Sequence, residues 1–296
     1  MSDAAPTTPP ASQPNSSPSN SLETVRVQLD TIDDQIHDLL MRRAEIIEDI
    51  RKAKGHNAKI ALRPGREAQI IRRLLARHRG ELPRQAMVRL WRELLAGTTA
   101  MQGNVTVAVC DTDASAGFTQ LAREHFGVLT PLRAHRSPAQ ALADLSAGAA
   151  ATAVLPLPSE ADGPREAWWM ALMQKDDPRI HVIARLPFWT RRPEGTPRVQ
   201  ALVVGVTAPD ASGEDRSFIG LECAADISRN RLSGLLEAAG LKPVSVVLRR
   251  DAGVPDARAL VEVDGMLGDD DPRLARLDPA LRRPVVLGGY AIGVGE

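Results

Sequence analysis

Aromatic residues make up only 3% of this 296-residue chain. Its cores must therefore be filled by aliphatic side chains. Cysteine is nearly absent. Cys110 and Cys223 stand far apart with no metal-ligand spacing around either. That excludes a disulfide scaffold and suits a reducing compartment, so a cytoplasmic protein is expected. No stretch reaches the roughly 18 consecutive apolar residues of a membrane helix, so no membrane partner is expected. Net charge is also missing: 37 basic residues balance 37 acidic ones. Without a whole-molecule field, nucleic acid is not an expected partner. The six histidines are scattered, and there is no HExxH, GxSxG or Walker loop. Neither a metal nor a cofactor is expected. What is present is ordinary globular composition, 43% apolar and 25% charged. At roughly 150 residues per domain the length suggests about two domains.

Residues 1–20 hold five Pro, five Ser and a single charge, Asp3. With no basic region before an apolar one they do not read as a secretory signal. They cannot bury enough apolar surface to offset ordering, and a disordered tail is expected. Residues 21–102 change character, with 16 Lys and Arg against 11 Asp and Glu. Apolar side chains fall at Leu22, Val25, Leu29, Ile32, Ile36 and Leu39, then at Ile46, Ile50 and Ala53. This spacing predicts a long helix with one buried seam, stopped near Gly55 and Asn57. Pro64 suits the first turn of a second helix, whose apolar face is Ile70, Ile71, Leu74 and Leu75. Gly80 ends it. Pro83 opens a third helix expected to bury Met87, Leu90, Trp91, Leu94 and Leu95.

The long helix has one anomaly, because Arg43 stands in the seam. A buried guanidinium needs an anionic partner. Lys54 lies 11 residues further on, a rotation within about 20° of whole turns and a rise of about 16 Å. The two cations share a face and can close on a small anion. On the third helix Thr98 and Gln102 continue the stripe Met87, Trp91, Leu94, and Arg66 and Glu67 open the second helix. A polar pocket inside a helical bundle is one reading. An interhelical ion pair at Arg43 and a solvated, fraying end at Thr98 and Gln102 are the other. The cluster Arg72, Arg73, Arg77 and Arg79 has no aromatic interleaved for base stacking and reads as a solvated face.

From Val105 short β-rich runs alternate with helices, an α/β pattern. Strands are expected at 105–110, 151–157, 180–186 and 199–206, and helices at 116–125 and 137–148. A linker is expected at 207–216. Strand, helix, strand, strand, a helix near 272–281 and a final strand follow. The order βαββαβ is that of a ferredoxin-like unit. The acidic run Asp269–Asp271 reads as a solvated loop rather than a calcium site.

The stretches "VRVQLDTIDDQIHDLLMRRAEIIEDIRKAK", "RPGREAQIIRRL" and "LWRELLAGTTAMQ" resemble the all-helical class of chorismate mutases. The resemblance covers residues 21–102. It implies a three-helix domain in an intertwined homodimer and a small-molecule substrate, chorismate. Carried over residue by residue, the carboxylate-binding arginines fall on Arg26 and Arg43. The lysine on the side-chain carboxylate and ether oxygen falls on Lys54. Glu67 faces the ring hydroxyl, Arg66 opens the second helix beside it, and the third-helix pair falls on Thr98 and Gln102. Arg63 replaces a residue that is often acidic and acts through its backbone N–H. Thr98 replaces a common Ser and keeps the hydroxyl. Arg26 and Arg43 are 17 residues apart, a rise of about 25 Å. They cannot meet on one small dicarboxylate along a straight helix, so Arg26 is expected to reach a partner's site.

The remainder resembles, in reduced form, a prephenate dehydratase followed by an ACT regulatory module. In "ATAVLPLPSEADG" Pro158 and Ser159 stand where the family has Glu-Asn. The family's catalytic Thr-Arg-Phe is absent, with Val199, Gln200 and Ala201 nearest to it. Too few residues separate strands 180–186 and 199–206 to hold a second lobe. An amino-acid effector at the ACT-like unit stays open as a partner, although the family's binding signatures are unmatched, with Asn230–Leu232 and Leu248–Asp251 in their places. The expected organisation is multidomain. A tail (1–20) precedes an all-α mutase domain (21–103), a degenerate dehydratase-like α/β lobe (104–208) and an ACT-like domain (209–296). A monofunctional mutase is the expectation. The alternatives are a non-catalytic partner of another aromatic amino-acid enzyme and a bifunctional mutase–dehydratase. Trp168, Trp169 and Trp189 serve either core packing or an interface.

Overall fold

The structure, a computed structural model, describes residues 22–54, 62–103, 105–111 and 116–295. The expected tail and the stop signals Gly55 and Asn57 lie outside them. The chain divides into two compact units, Met1–His56 and Asn57–Glu296.

In the first unit, helix α1 runs over Leu22–Lys54. Ion pairs at i, i+3 join Glu23 to Arg26 (3.6 Å), Glu48 to Arg51 (2.6 Å) and Asp49 to Lys52 (3.7 Å). Exposed pairs at this spacing support the helix only weakly. The seam read from the sequence is solvent-facing: Leu22, Val25, Leu29, Ile32, Ile36, Leu39, Ile46 and Ile50 are 44–67% exposed.

The second unit begins with α2 (Pro64–Arg77) and α3 (Arg84–Ala100). Pro64 starts α2 as expected, because its missing N–H is one the first turn leaves unpaired anyway. Ala68, Ile71 and Leu75 of α2 are buried. The buried stripe of α3 is Val88, Arg92, Leu95 and Thr98, while Leu90 is 63% exposed. Leu95 and Thr98 are buried as expected, whereas earlier in the helix the buried face lies one position on, at Val88 and Arg92. Met87, Trp91 and Leu94 are only half-buried. The helix carries two adjacent apolar stripes, and packing chose the one that holds an arginine.

A nine-stranded sheet follows. Its first half contains β1 (Val107–Cys110), α4 (Gly117–Phe126), β2 (Leu132–His135), α5 (Pro138–Ser146), β3 (Thr152–Pro156), α6 (Trp169–Leu172), β4 (His181–Leu186) and β5 (Ala201–Gly205). Its second half contains β6 (Asp215–Ala224), α7 (Arg229–Ala238), β7 (Pro243–Arg249), β8 (Asp256–Asp264) and β9 (Arg282–Ala291). The strand order is β2-β1-β3-β5-β4-β9-β6-β8-β7. The two expected modules thus share one continuous sheet, joined where β4 and β9 run parallel at Val182 and Gly288. Gly288 has φ +113°, and a Cβ there would meet the Val182 carbonyl oxygen at 2.2 Å. Only glycine permits that approach.

Three expectations need correction. The helix near 272–281 is a single 3₁₀ turn, Leu274–Arg276, because Pro279 cannot continue a helix through the segment, although Leu274, Leu277 and Leu281 still pack on the core. Strand β2 was not foreseen; it is an edge strand with no fully buried residue, so it lacks the apolar signal. Arg72 is not on a solvated face. It donates to Ser212, to the Glu214 carbonyl (3.0 Å) and to the Ile292 carbonyl (2.6 Å), pinning α2 to the segment after β9. Trp168 and Trp169 are core residues at 4% and 1% exposure, and Trp189 is half-buried. Both cysteines are free and buried. Asp269 pairs with Lys175 and Arg179, and Asp271 with Arg273.

Candidate functional site

The sequence-predicted residues fall on three helices in two units. On α1, Arg26 is exposed and pairs with Glu23. Arg43 is half-buried, and burial lowers the pKa of its guanidinium. Lys54 is the last residue of α1.

Arg63, Arg66 and Glu67 meet at the start of α2. A helix leaves its first N–H groups unpaired, and here no local side chain caps them. Asp210, from the loop between β5 and β6, does so instead. Its Oδ1 accepts from the Gly65 N–H and its Oδ2 from the Arg66 N–H, both at 3.1 Å. Arg63 Nη2 lies 3.3 Å from Oδ2. A Cβ on Gly65 would stand 2.1 Å from the Asp210 carbonyl oxygen, so glycine lets the loop close on the helix. Arg66 is exposed and donates to Gln69 at 3.2 Å.

Glu67 turns inward. Its Oε2 accepts from Arg92 Nη1 at 2.7 Å, and the Arg92 side chain is only 4% exposed. The Arg92 guanidinium also lies over the Phe188 ring, 4.7 Å from its centroid, a cation–π contact. Burial pushes the Glu67 carboxyl upward and the Arg92 charge opposes it. His125 sits near the same pair, and burial followed by the Arg92 charge holds its imidazole well below its ordinary range. Glu67, Arg92 and His125 line a cavity of about 240 Å³. The sequence reading missed Arg92. Its signal was available, since Val88, Arg92 and Leu95 follow one another in steps of four and three.

Thr98 is buried, and its hydroxyl donates to the carbonyls of Leu94 (2.9 Å) and Leu95 (3.0 Å). Gln102 is half-buried, and its Nε2 donates to the Thr98 carbonyl at 3.4 Å. The structure thus groups Arg63, Arg66 and Glu67, links Glu67 to α3, and stacks Gln102 on Thr98. Arg26, Arg43 and Lys54 are described along α1 alone.

Residues 25–103 match the family model of chorismate mutase type II. The bifunctional chorismate mutase/prephenate dehydratase of Pseudomonas aeruginosa is 26% identical over 151 residues, covering 48% of this chain and 40% of the relative. That of Neisseria gonorrhoeae is 36% identical over 103 residues, covering 34% and 27%. The aligned region thus spans less than half the length of either relative. Among solved structures, a quorum-quenching acylase, GqqA, matches 64% of this chain and 96% of its own, at 14% identity and TM-score 0.49. The prephenate dehydratase from Streptococcus mutans matches 64% and 98%, at 12% identity and TM-score 0.46. The amino-terminal helical segment belongs to the chorismate mutase type II family.

Proposed function

We propose that this chain is a chorismate mutase that converts chorismate to prephenate in the cytoplasm without metal or cofactor. The family match over residues 25–103 carries the proposal, together with a full set of side chains for the task. The rearrangement is intramolecular and needs no nucleophile. The protein must hold two carboxylates so that the substrate's chain folds over its ring, which is catalysis by orientation. Arg26 and Arg43 supply the cations for the carboxylates, Arg63 contributes its backbone N–H, and Arg66 opens the second helix beside Glu67. Negative charge grows on the breaking ether oxygen, and Lys54 and Gln102 are its donors. Glu67 faces the ring hydroxyl, and Thr98 supports Gln102 from below.

The working unit is a homodimer. The eight apolar residues along α1 at 44–67% exposure support a helical partner over that seam, and Arg26 and Arg43 are too far apart along it to serve one substrate. Residues 104–208 are a degenerate dehydratase-like lobe and 209–296 an ACT-like domain. No amino-acid effector is proposed, because Asn230–Leu232 and Leu248–Asp251 do not match the binding signatures.

A second reading, the bifunctional enzyme, is favoured by the names of the curated relatives. Against it stand Val199, Gln200 and Ala201 in place of Thr-Arg-Phe. One coupled assay separates the readings. Chorismate should disappear, EDTA should not inhibit, and prephenate should accumulate. Enzyme-dependent phenylpyruvate at neutral pH establishes the bifunctional reading, and no chorismate loss leaves a non-catalytic partner.

A further inference from the structure

An arginine is an unexpected member of the buried stripe of α3. Arg92 stands there between Val88 and Leu95 and is 4% exposed. A buried ion pair is a poor source of stability, because well-packed apolar residues often replace one without loss. Arg92 also leaves its Nε buried without a hydrogen-bond partner, which is unfavourable in itself. Joining α2 to α3 therefore does not account for an arginine at this position.

The two oxygens of its partner, Glu67, are used differently. Oε2 accepts from Arg92 Nη1 at 2.7 Å. Oε1 accepts no hydrogen bond among the described residues. The Glu67 side chain keeps 20% exposure and lines the cavity of about 240 Å³. A carboxylate clamped through one oxygen presents the other in a fixed direction. We propose that Arg92 is a positioning residue, which clamps Glu67 so that its second oxygen receives the ring hydroxyl of the substrate. The proposal rests on the mutase reading of this chain.

The α/β half holds the clamp in place. Phe188, just after β4, is buried, and its ring lies against the Arg92 guanidinium, 4.7 Å from centroid to Cζ. The negative face of the ring attracts the cation where no water competes. His125, at the end of α4, lines the same cavity as Glu67. Burial and then the Arg92 charge hold its imidazole well below the ordinary range, so it stays neutral and does not compete with Arg92 for the glutamate. Glu93 also lines the cavity, but its carboxylate is engaged by the Val128 N–H at 3.1 and 3.4 Å. Burial is the largest influence on the Glu67 carboxyl and pushes its pKa upward, with help from Asp210; the charge and hydrogen bond of Arg92 oppose them. One arginine thus sets both the direction and the ionisation of Glu67.

The test is the pH profile of kcat/KM for chorismate loss, measured on the full chain from about pH 6 to 9, where the wild type should be nearly flat. Arg92→Gln keeps an N–H donor but not the charge. Its kcat/KM should fall as pH drops, because burial then acts on Glu67 unopposed and a neutral carboxyl is the weaker acceptor. The fall should reach about tenfold, the worth of the lost charge assistance. Arg92→Lys restores the charge and should restore the flat profile. Adding Glu67→Gln to Arg92→Gln should abolish the pH dependence, since an amide does not titrate. Phe188→Leu keeps an apolar filler without the ring face and should lower kcat/KM about two- to fivefold. Circular dichroism at each pH confirms that the variants are folded. An Arg92 of structural importance alone would lower kcat/KM by one factor at every pH. That outcome overturns the proposal, as does a pH dependence of Arg92→Gln that survives Glu67→Gln. If Arg92→Gln does not fold, Phe188→Leu decides, and wild-type kcat/KM in that variant overturns the proposal. A wild type that consumes no chorismate overturns the mutase reading together with this one, whereas an active wild type with unaltered variants overturns this one alone.

Discussion

Arg92 of α3 donates to Glu67 of α2 across 2.7 Å, and both side chains are largely removed from water. The glutamate is one that sequence resemblance assigns to the substrate. The arginine stands in the buried stripe Val88, Arg92, Leu95, and the resemblance assigns it no role. Because Arg92 also lies over Phe188, the segment just after β4 bears on the same glutamate.

Breaking this pair should be costly. Arg92→Met leaves an uncompensated buried carboxylate, and stability should fall by about 3–5 kcal/mol in urea denaturation. The double variant Arg92→Met, Glu67→Leu should recover most of that loss, because well-packed apolar replacements of a buried pair are often neutral. Equal instability of the single and double variants would mean that packing, not charge, is what Arg92 supplies.

Gly65→Ala should dislodge the Asp210 loop from the start of α2, since its Cβ would stand 2.1 Å from a backbone oxygen. A loss of about 1–3 kcal/mol is expected from the overpacking. Asp210→Ala removes the cap without the clash and should cost about 0.5–2 kcal/mol. Thermal unfolding of both variants decides whether the loop contact is held as tightly as described.

Acid stability should depend on Asp269. A hydrogen bond from Arg179 is the largest influence on it; with help from Lys175 it outweighs burial and brings the pKa down to about 2. The unfolded value is about 3.9, so the folded carboxyl is depressed. Its contribution is present above the unfolded value and is lost as pH falls through the folded one. Asp269→Asn should therefore be less stable than wild type at neutral pH and converge with it near pH 2. Parallel urea midpoints across that range measure this.

Mutase activity should be nearly flat from about pH 6 to 9, because an amide does not titrate and lysine and arginine stay charged there. Gln102→Glu should convert the profile to one that falls as pH rises, since only a protonated carboxyl can donate to the ether oxygen. A steep profile in the wild type would remove Gln102 from that role.

Two inactive variants, Arg26→Ala and Lys54→Ala, should restore activity when co-expressed with different tags. Random pairing makes about half the dimers mixed, and closed two-fold symmetry gives each mixed dimer one intact site. About a quarter of wild-type activity should return. A mixed dimer isolated through both tags and as inactive as its parents would rule out shared sites.

Sequence periodicity by itself determined the long α1 helix, the starts of α2 and α3, most of the strands and the βαββ succession of the second half. These follow from spacings of three, four or two along the chain and from proline and glycine punctuation. The seam position of Arg43 was equally plain, as was the resemblance that gives Arg26, Lys54 and Gln102 their expected roles. Only the tertiary structure decided which stripe of α3 is buried, because two adjacent stripes are both apolar enough and the choice rests on Glu67 and Phe188, far away in sequence. It also turned Arg72 from a solvated charge into a pin on the segment after β9, since backbone carbonyls leave no sequence signature. The fusion of two expected modules into one sheet rests on Gly288 against Val182. A glycine reads as punctuation until a second strand is brought against it, and that approach is a property of the fold.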